Sequence, residues 1–153
     1  SRLTPSDYLA ALAIPLSLVA GEQVSRRLNF PTDWARVVRD TIALREITPS
    51  ISGPSVKVST VCSALKGLDN DAIAAFARLS QEPRFAARLG QYLNVWRQVI
   101  PRLTGDDLLT MGVPSGSMVG EILQQLLSAK LDGLVGNEKG ERTLVNQIIS
   151  RGS

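Results

Sequence analysis

Apolar residues recur at three- and four-residue intervals along most of the chain, and the interruptions fall at Pro, Gly and Asn. Residues 5–28 predict one or two helices, with a break or kink at Pro15. Residues 29–32 (Asn-Phe-Pro-Thr) read as a connection in which Thr32 caps the next helix. That helix runs to about residue 47, with Trp34, Val38 and Ile42 stacked four apart and Arg36 and Arg39 opposite. Residues 48–54 hold two Pro, one Gly and two Ser and predict a loop. A helix over about 56–65 follows and stops at Gly67.

Asp69 or Asn70 is placed to cap a helix carrying Ile73, Phe76 and Leu79. Glu82-Pro83 opens the most regular stretch, in which Phe85, Leu89, Tyr92, Leu93, Trp96, Val99 and Ile100 form one apolar stripe. Thr104 with Asp107 three residues on is a capping box, and Leu103 is positioned to staple to Leu108. Gly112 ends that short helix, residues 113–117 turn, and a long helix covers about 118–131. Gly133 ends it, and Asn137 caps a last helix carrying Leu144, Val145, Ile148 and Ile149. Residues 56–61 alternate briefly as a strand would, but they run into Ala-Leu helix formers. The expectation is an all-α fold, an irregular multi-helical bundle of seven to eight helices. It comprises a body over 1–102, part of an RNA-binding domain, and a smaller helical tail over 103–153.

Composition changes this picture mainly by what it leaves out. The 153 residues are 44% hydrophobic and 20% charged, which is globular, and only 5% aromatic, which favours helices over a sandwich. There is no His, so the usual general base and the commonest metal ligand are missing. The single Cys, Cys62, excludes an internal disulfide and a multi-Cys metal site, and its apolar neighbours Val58, Val61 and Leu65 mark it as a small buried hydrophobe. No apolar run reaches spanning length, so a membrane partner is not expected. The chain starts Ser1-Arg2-Leu3, with neither Met nor a signal pattern, and reads as a piece of a larger cytoplasmic protein.

Charge is uneven. Residues 1–105 carry 13 Lys/Arg against 8 Asp/Glu, and residues 106–153 carry 4 against 6. Arg78, Arg84, Arg88 and Arg102 form the densest basic group, with Arg84, Arg88 and Arg102 close to one line if their helix continues to Pro101. Arg forks suit phosphates, and equally an ordinary solvated surface. Arg26, Arg27 and Lys57 are secondary candidates. The segment with Gly112, Ser115, Gly116 and Ser117 is a short helix, turn and helix. Such hairpins offer backbone N–H groups to a phosphate; a capping glycine and close helix packing explain the same residues. Asp106-Asp107 and Asp69-Asn70-Asp71 imitate metal pairs but read better as helix-start acids and caps, so no catalytic or metal-binding residue is assigned.

Residues 103–123, Leu-Thr-Gly-Asp-Asp-Leu-Leu-Thr-Met-Gly-Val-Pro-Ser-Gly-Ser-Met-Val-Gly-Glu-Ile-Leu, continue to Leu126-Leu127 and Leu131-Asp132-Gly133. This run resembles the carboxy-terminal tail of bacterial CCA-adding enzymes and poly(A)-polymerase-like tRNA nucleotidyltransferases, with matching gaps between Asp107, Gly112, Gly116 and Gly120. The resemblance covers about residues 103–135. It implies a non-catalytic body and tail that hold tRNA, covalently joined in the full-length protein to a catalytic head and a nucleotide-selecting neck. That head would be a Mg²⁺-dependent transferase with CTP and ATP as substrates; this piece would need no cofactor. A homo-oligomer is compatible with the reading. The alternative is a helical protein–protein interaction module with no RNA role.

Overall fold

Nine α-helices and one 3₁₀ turn account for the regular structure of residues 2–152, the residues described in the computed structural model, and no strand forms among them. The described chain divides into two compact units. One runs through Val56 and resumes over Thr60–Arg97; the other comprises Lys57–Ser59 and the chain from Gln98 onward.

In the first unit, helix α1 (Pro5–Ala13) starts at a capping box, Thr4 and Asp7, whose Oδ2 accepts from the Thr4 N–H at 2.7 Å. The chain breaks around Pro15, and α2 (Leu18–Arg27) begins on the Ser17 cap. Residues 5–28 are thus two helices. The carbonyls stranded at the break, those of Ile14 and Leu16, both accept from Arg45 Nη1, at 2.5 and 2.6 Å. Helix α3 (Thr32–Ile51) packs against α1, α2 and α5 (Asn70–Leu79), and α6 (Pro83–Asn94) packs on α5. Gly21 lets α2 approach α3 closely; a Cβ there would lie 2.6 Å from Ile42 Cδ1. Leu9, Val38, Ile42, Ile51, Val61, Leu65, Ile73, Phe76, Phe85 and Leu89 make up much of this unit's core.

Three expectations change here. Thr32 is the first residue of α3 and not its cap, since Pro31 occupies the cap position. The predicted loop over 48–54 is largely helix: α3 continues through Pro49 to Ile51. Pro49 lacks the N–H that would bond the carbonyl four residues back. Ile51, buried at 1% exposure, and the Arg88 guanidinium, which donates to the Ile51 carbonyl at 2.8 Å, anchor the last turn beyond it. Third, the stripe from Phe85 to Ile100 is not one helix. Helix α6 stops at Asn94, and residues Trp96–Gln98 form the 3₁₀ turn. In a continued helix the Arg97 peptide N–H would bond the Leu93 carbonyl; instead the Arg97 side-chain Nε does so, at 2.7 Å. Ile100 falls outside the stripe, 73% exposed.

Of α4 (Val58–Leu65), residues from Thr60 on belong to the first unit; within the second unit, Ser59 donates from its N–H and Oγ to the two carboxylate oxygens of Asp132, at 2.9 and 2.7 Å. The second unit holds α7 (Gly105–Thr110), α8 (Ser117–Leu131) and α9 (Glu138–Arg151). The capping box at Thr104 and Asp107 forms as the spacing predicts, and so does the Asn137 cap of α9. Leu103, Leu108, Val113, Ile122, Leu126 and Val145 are its core. The side chain of Glu141 is buried among them. It accepts from the peptide N–H of Arg102 at 2.9 Å and of Leu103 at 3.4 Å, with Lys130 Nζ 3.9 Å away. A carboxylate survives such burial because donors and a cation surround it.

Candidate nucleic-acid interface

Arg84 is exposed on the first turn of α6, and Arg88 follows one turn later, half-buried. Both line a cleft of about 500 Å³ with Ser52, Pro54, Glu82 and Pro83. Arg88 spends one guanidinium N–H on the carboxyl end of α3, where the helix dipole is negative. Arg78 lies on α5, its Nε 2.6 Å from Asp7 Oδ1, and so serves the α1 capping box from another helix. Arg102 follows the 3₁₀ turn. Its peptide N–H is bound by Glu141, and its side chain is exposed. The four arginines therefore come from three segments, and Arg102 does not continue the line of Arg84 and Arg88, because the helix that would carry it ends at Asn94.

The hairpin between α7 and α8 has a clear local cause. Gly112 has φ +100°, the Gly112 N–H bonds the Leu109 carbonyl, and the Val113 N–H bonds the Leu108 carbonyl. These two bonds make a Schellman ending, and the buried pair Leu108 and Val113 supplies its apolar contact. Gly116, at φ +114°, then opens α8 without a side-chain cap. Gly112, Ser115, Gly116 and Ser117 are all exposed. Arg26 and Arg27 are exposed in the last turn of α2, a position favoured by its dipole, and Lys57 is exposed ahead of α4.

The carboxylates that imitate metal pairs are engaged elsewhere. Asp107 accepts from the Thr104 N–H at 2.8 Å and from its hydroxyl at 3.0 Å, bonds that hold its carboxyl below the usual range. Asp69 Oδ1 accepts from the peptide N–H groups of Asp71 and Ala72. Among the described residues no group of three or more His, Cys, Asp or Glu side chains gathers as a metal ion would require.

The long-range polar anchors carry no local signal in the sequence. Asp40 is buried and accepts from the peptide N–H of Asp69 at 2.8 Å and from Arg39 Nε at 3.1 Å. Arg45 and Glu141 are of the same kind. Only Thr4-x-x-Asp7 could have been read, as a capping box.

The described residues thus define an all-helical protein with exposed arginines and an exposed glycine hairpin. Part of the chain is similar to an A-adding tRNA nucleotidyltransferase of Geobacter sulfurreducens, at 31% identity over 93 residues. Those residues are 61% of this chain and only 11% of the relative's length. No family model matches the chain, and no solved structure does. No helix among the described residues is long and apolar enough to cross a membrane.

Proposed function

We propose that this chain is the non-catalytic, tRNA-holding part of a cytoplasmic tRNA nucleotidyltransferase, joined covalently to a head and neck that add nucleotides from CTP or ATP with Mg²⁺. The observation that carries the reading is the partial similarity to a tRNA nucleotidyltransferase. Arg84, Arg102 and the hairpin at Ser115-Gly116-Ser117 are the first choice for phosphate contacts, with Arg26, Arg27 and Lys57 secondary. Arg78, exposed, and Arg88, half-buried, are further candidates that also serve Asp7 and Ile51. Phosphate contacts orient a nucleic acid without reading its sequence, which suits a protein that must accept many tRNAs.

The test is tRNA binding by fluorescence anisotropy at two salt concentrations. Affinity should fall steeply with salt, and different tRNAs should compete about equally. Arg84→Glu should weaken binding roughly 3–10-fold at low salt and change stability by less than about 0.5 kcal/mol. The purified chain should transfer no labelled nucleotide from CTP or ATP with Mg²⁺; incorporation would overturn the non-catalytic assignment. Binding that ignores salt and Arg84 would favour the helical interaction module, for which Tyr8 and Leu12, exposed four residues apart on α1, are the observation.

A further inference from the structure

A concavity with mixed chemistry lies in the first unit, between α2 and α3. It has a volume of about 480 Å³, within the range of small-ligand sites, and Arg26, Arg36 and Arg39 line it together with Phe30. Glu22 is the one acid among these lining residues, and Asp33, Asp40 and Asp69 approach the arginines from outside the lining. Arg39 is held along one edge by its Nε bond to buried Asp40. Arg36 lies 3.8 Å from Asp33 and 4.0 Å from Asp69, attracted by both but beyond hydrogen-bond reach of either.

Trp34 lies outside the groove's lining but contacts Phe30, which is part of it. The spacing of Trp34 from Val38 and Ile42 places it in the core stripe of α3, yet it is 43% exposed while those two are buried. Phe30, from the groove lining, meets it edge-on, with ring centroids 5.7 Å apart and planes at 69°. An indole left in water but steadied by a neighbouring ring is a ready stacking platform. Trp34 meets the groove through its contact with Phe30, and cationic forks in a groove with an exposed indole at its rim match a nucleotide, whose phosphate takes the arginines and whose base takes the ring.

We propose that the α2–α3 groove binds one unpaired nucleotide of a single-stranded RNA segment, with its phosphate at Arg26, Arg36 and Arg39 and its base on Trp34. Choosing RNA as the source of the nucleotide rests on the tRNA reading; the groove chemistry does not. A base paired in a duplex has no free face for Trp34, so duplex RNA is excluded from this site.

The chain has two tryptophans, and Trp96→Phe leaves Trp34 as the fluorescent reporter. Titration of that variant with an eight-nucleotide single-stranded RNA should quench Trp34 emission in a saturable way. A duplex of the same sequence, or AMP at the same nucleotide concentration, should need at least roughly tenfold more for the same quenching. Replacing Arg36 and Arg39 together by Gln should raise the single-strand concentration needed about tenfold. In a labelled-RNA assay, Trp34→Ala should lose the preference for single strand over duplex, and Trp34→Phe should keep it. Absence of quenching by the octamer, or a preference unchanged in Trp34→Ala, overturns the proposal. Equal quenching by AMP does so too, because it assigns the groove to free nucleotide. The tRNA reading fails separately: octamer quenching with tRNA affinity blind to salt and to Arg84→Glu would leave the groove standing without it.

Discussion

Asp7 is buried, 1% exposed, yet it answers three groups at once: the Thr4 peptide N–H, the Thr4 hydroxyl and Arg78. The Thr4 N–H bond is the main reason its carboxyl titrates below the ordinary range; burial works the other way, and Arg78 adds to the lowering. A depressed folded-state pKa stabilises the fold above the unfolded value of about 3.9, and that contribution disappears as pH falls through the lower folded value. Asp7→Asn should therefore cost about 2–3 kcal/mol at pH 7 in a urea titration, with a constant penalty through neutrality that shrinks only below about pH 4. Asp107 makes the same box at an exposed helix start, so Asp107→Asn should show the same pH dependence with a smaller amplitude. Tyr92 is the contrasting case, its hydroxyl pushed up mainly by burial.

Helix boundaries divide into those set by neighbours in sequence and those set by neighbours in space. The Asp69, Thr104 and Asn137 starts and the Gly112 stop rest on bonds spanning five residues or fewer, and the sequence pattern predicts each of them. Helix α3 crossing Pro49 and α6 ending at Asn94 depend on groups such as Arg88 and Arg97, whose effect no propensity records. The candidate site shows the same division. Arginine positions along α6 are readable, but the partner of Arg88 is a main-chain oxygen 37 residues away, so its second role at the end of α3 is not. Trp34 keeps the register of its stripe but is exposed, with Phe30 edge-on against it, a contact that the periodicity does not record. Pro49 is exposed, so Pro49→Ala removes little packing and restores a helical N–H donor. It should raise stability by about 1–2 kcal/mol, after allowing for the looser unfolded chain, as measured by thermal or urea unfolding.

At the scale of the molecule, the described residues form two cores that share no buried residue, one around α3, α5 and α6 and one around α7, α8 and α9. Glu141 sits in the second, bound to the peptide N–H groups that lead into α7. Glu141→Ala leaves those donors buried without an acceptor and should cost about 3 kcal/mol. Hydrogen exchange should report the loss unevenly. Amides of α7, α8 and α9 should exchange faster by a factor of roughly a hundred, while those of α3 and α5 change much less. Uniform acceleration across both sets would mean that the two cores unfold as one.

The anchors Arg45, Arg88, Asp40 and Glu141 share one habit: each joins distant parts of its unit by bonding main-chain atoms. Evolution sees such a contact from one side only. The anchoring side chain is constrained by the bond, while its partners Ile14, Leu16, Ile51 and Arg102 are constrained only by whatever else their side chains do, since any residue there presents the same carbonyl or, proline aside, the same amide. Across divergent homologues the anchors should stay constant even where a partner drifts. Methods that infer contacts from paired substitutions would then miss the bonds that hold these helices in place, and overall identity would decay faster than the architecture.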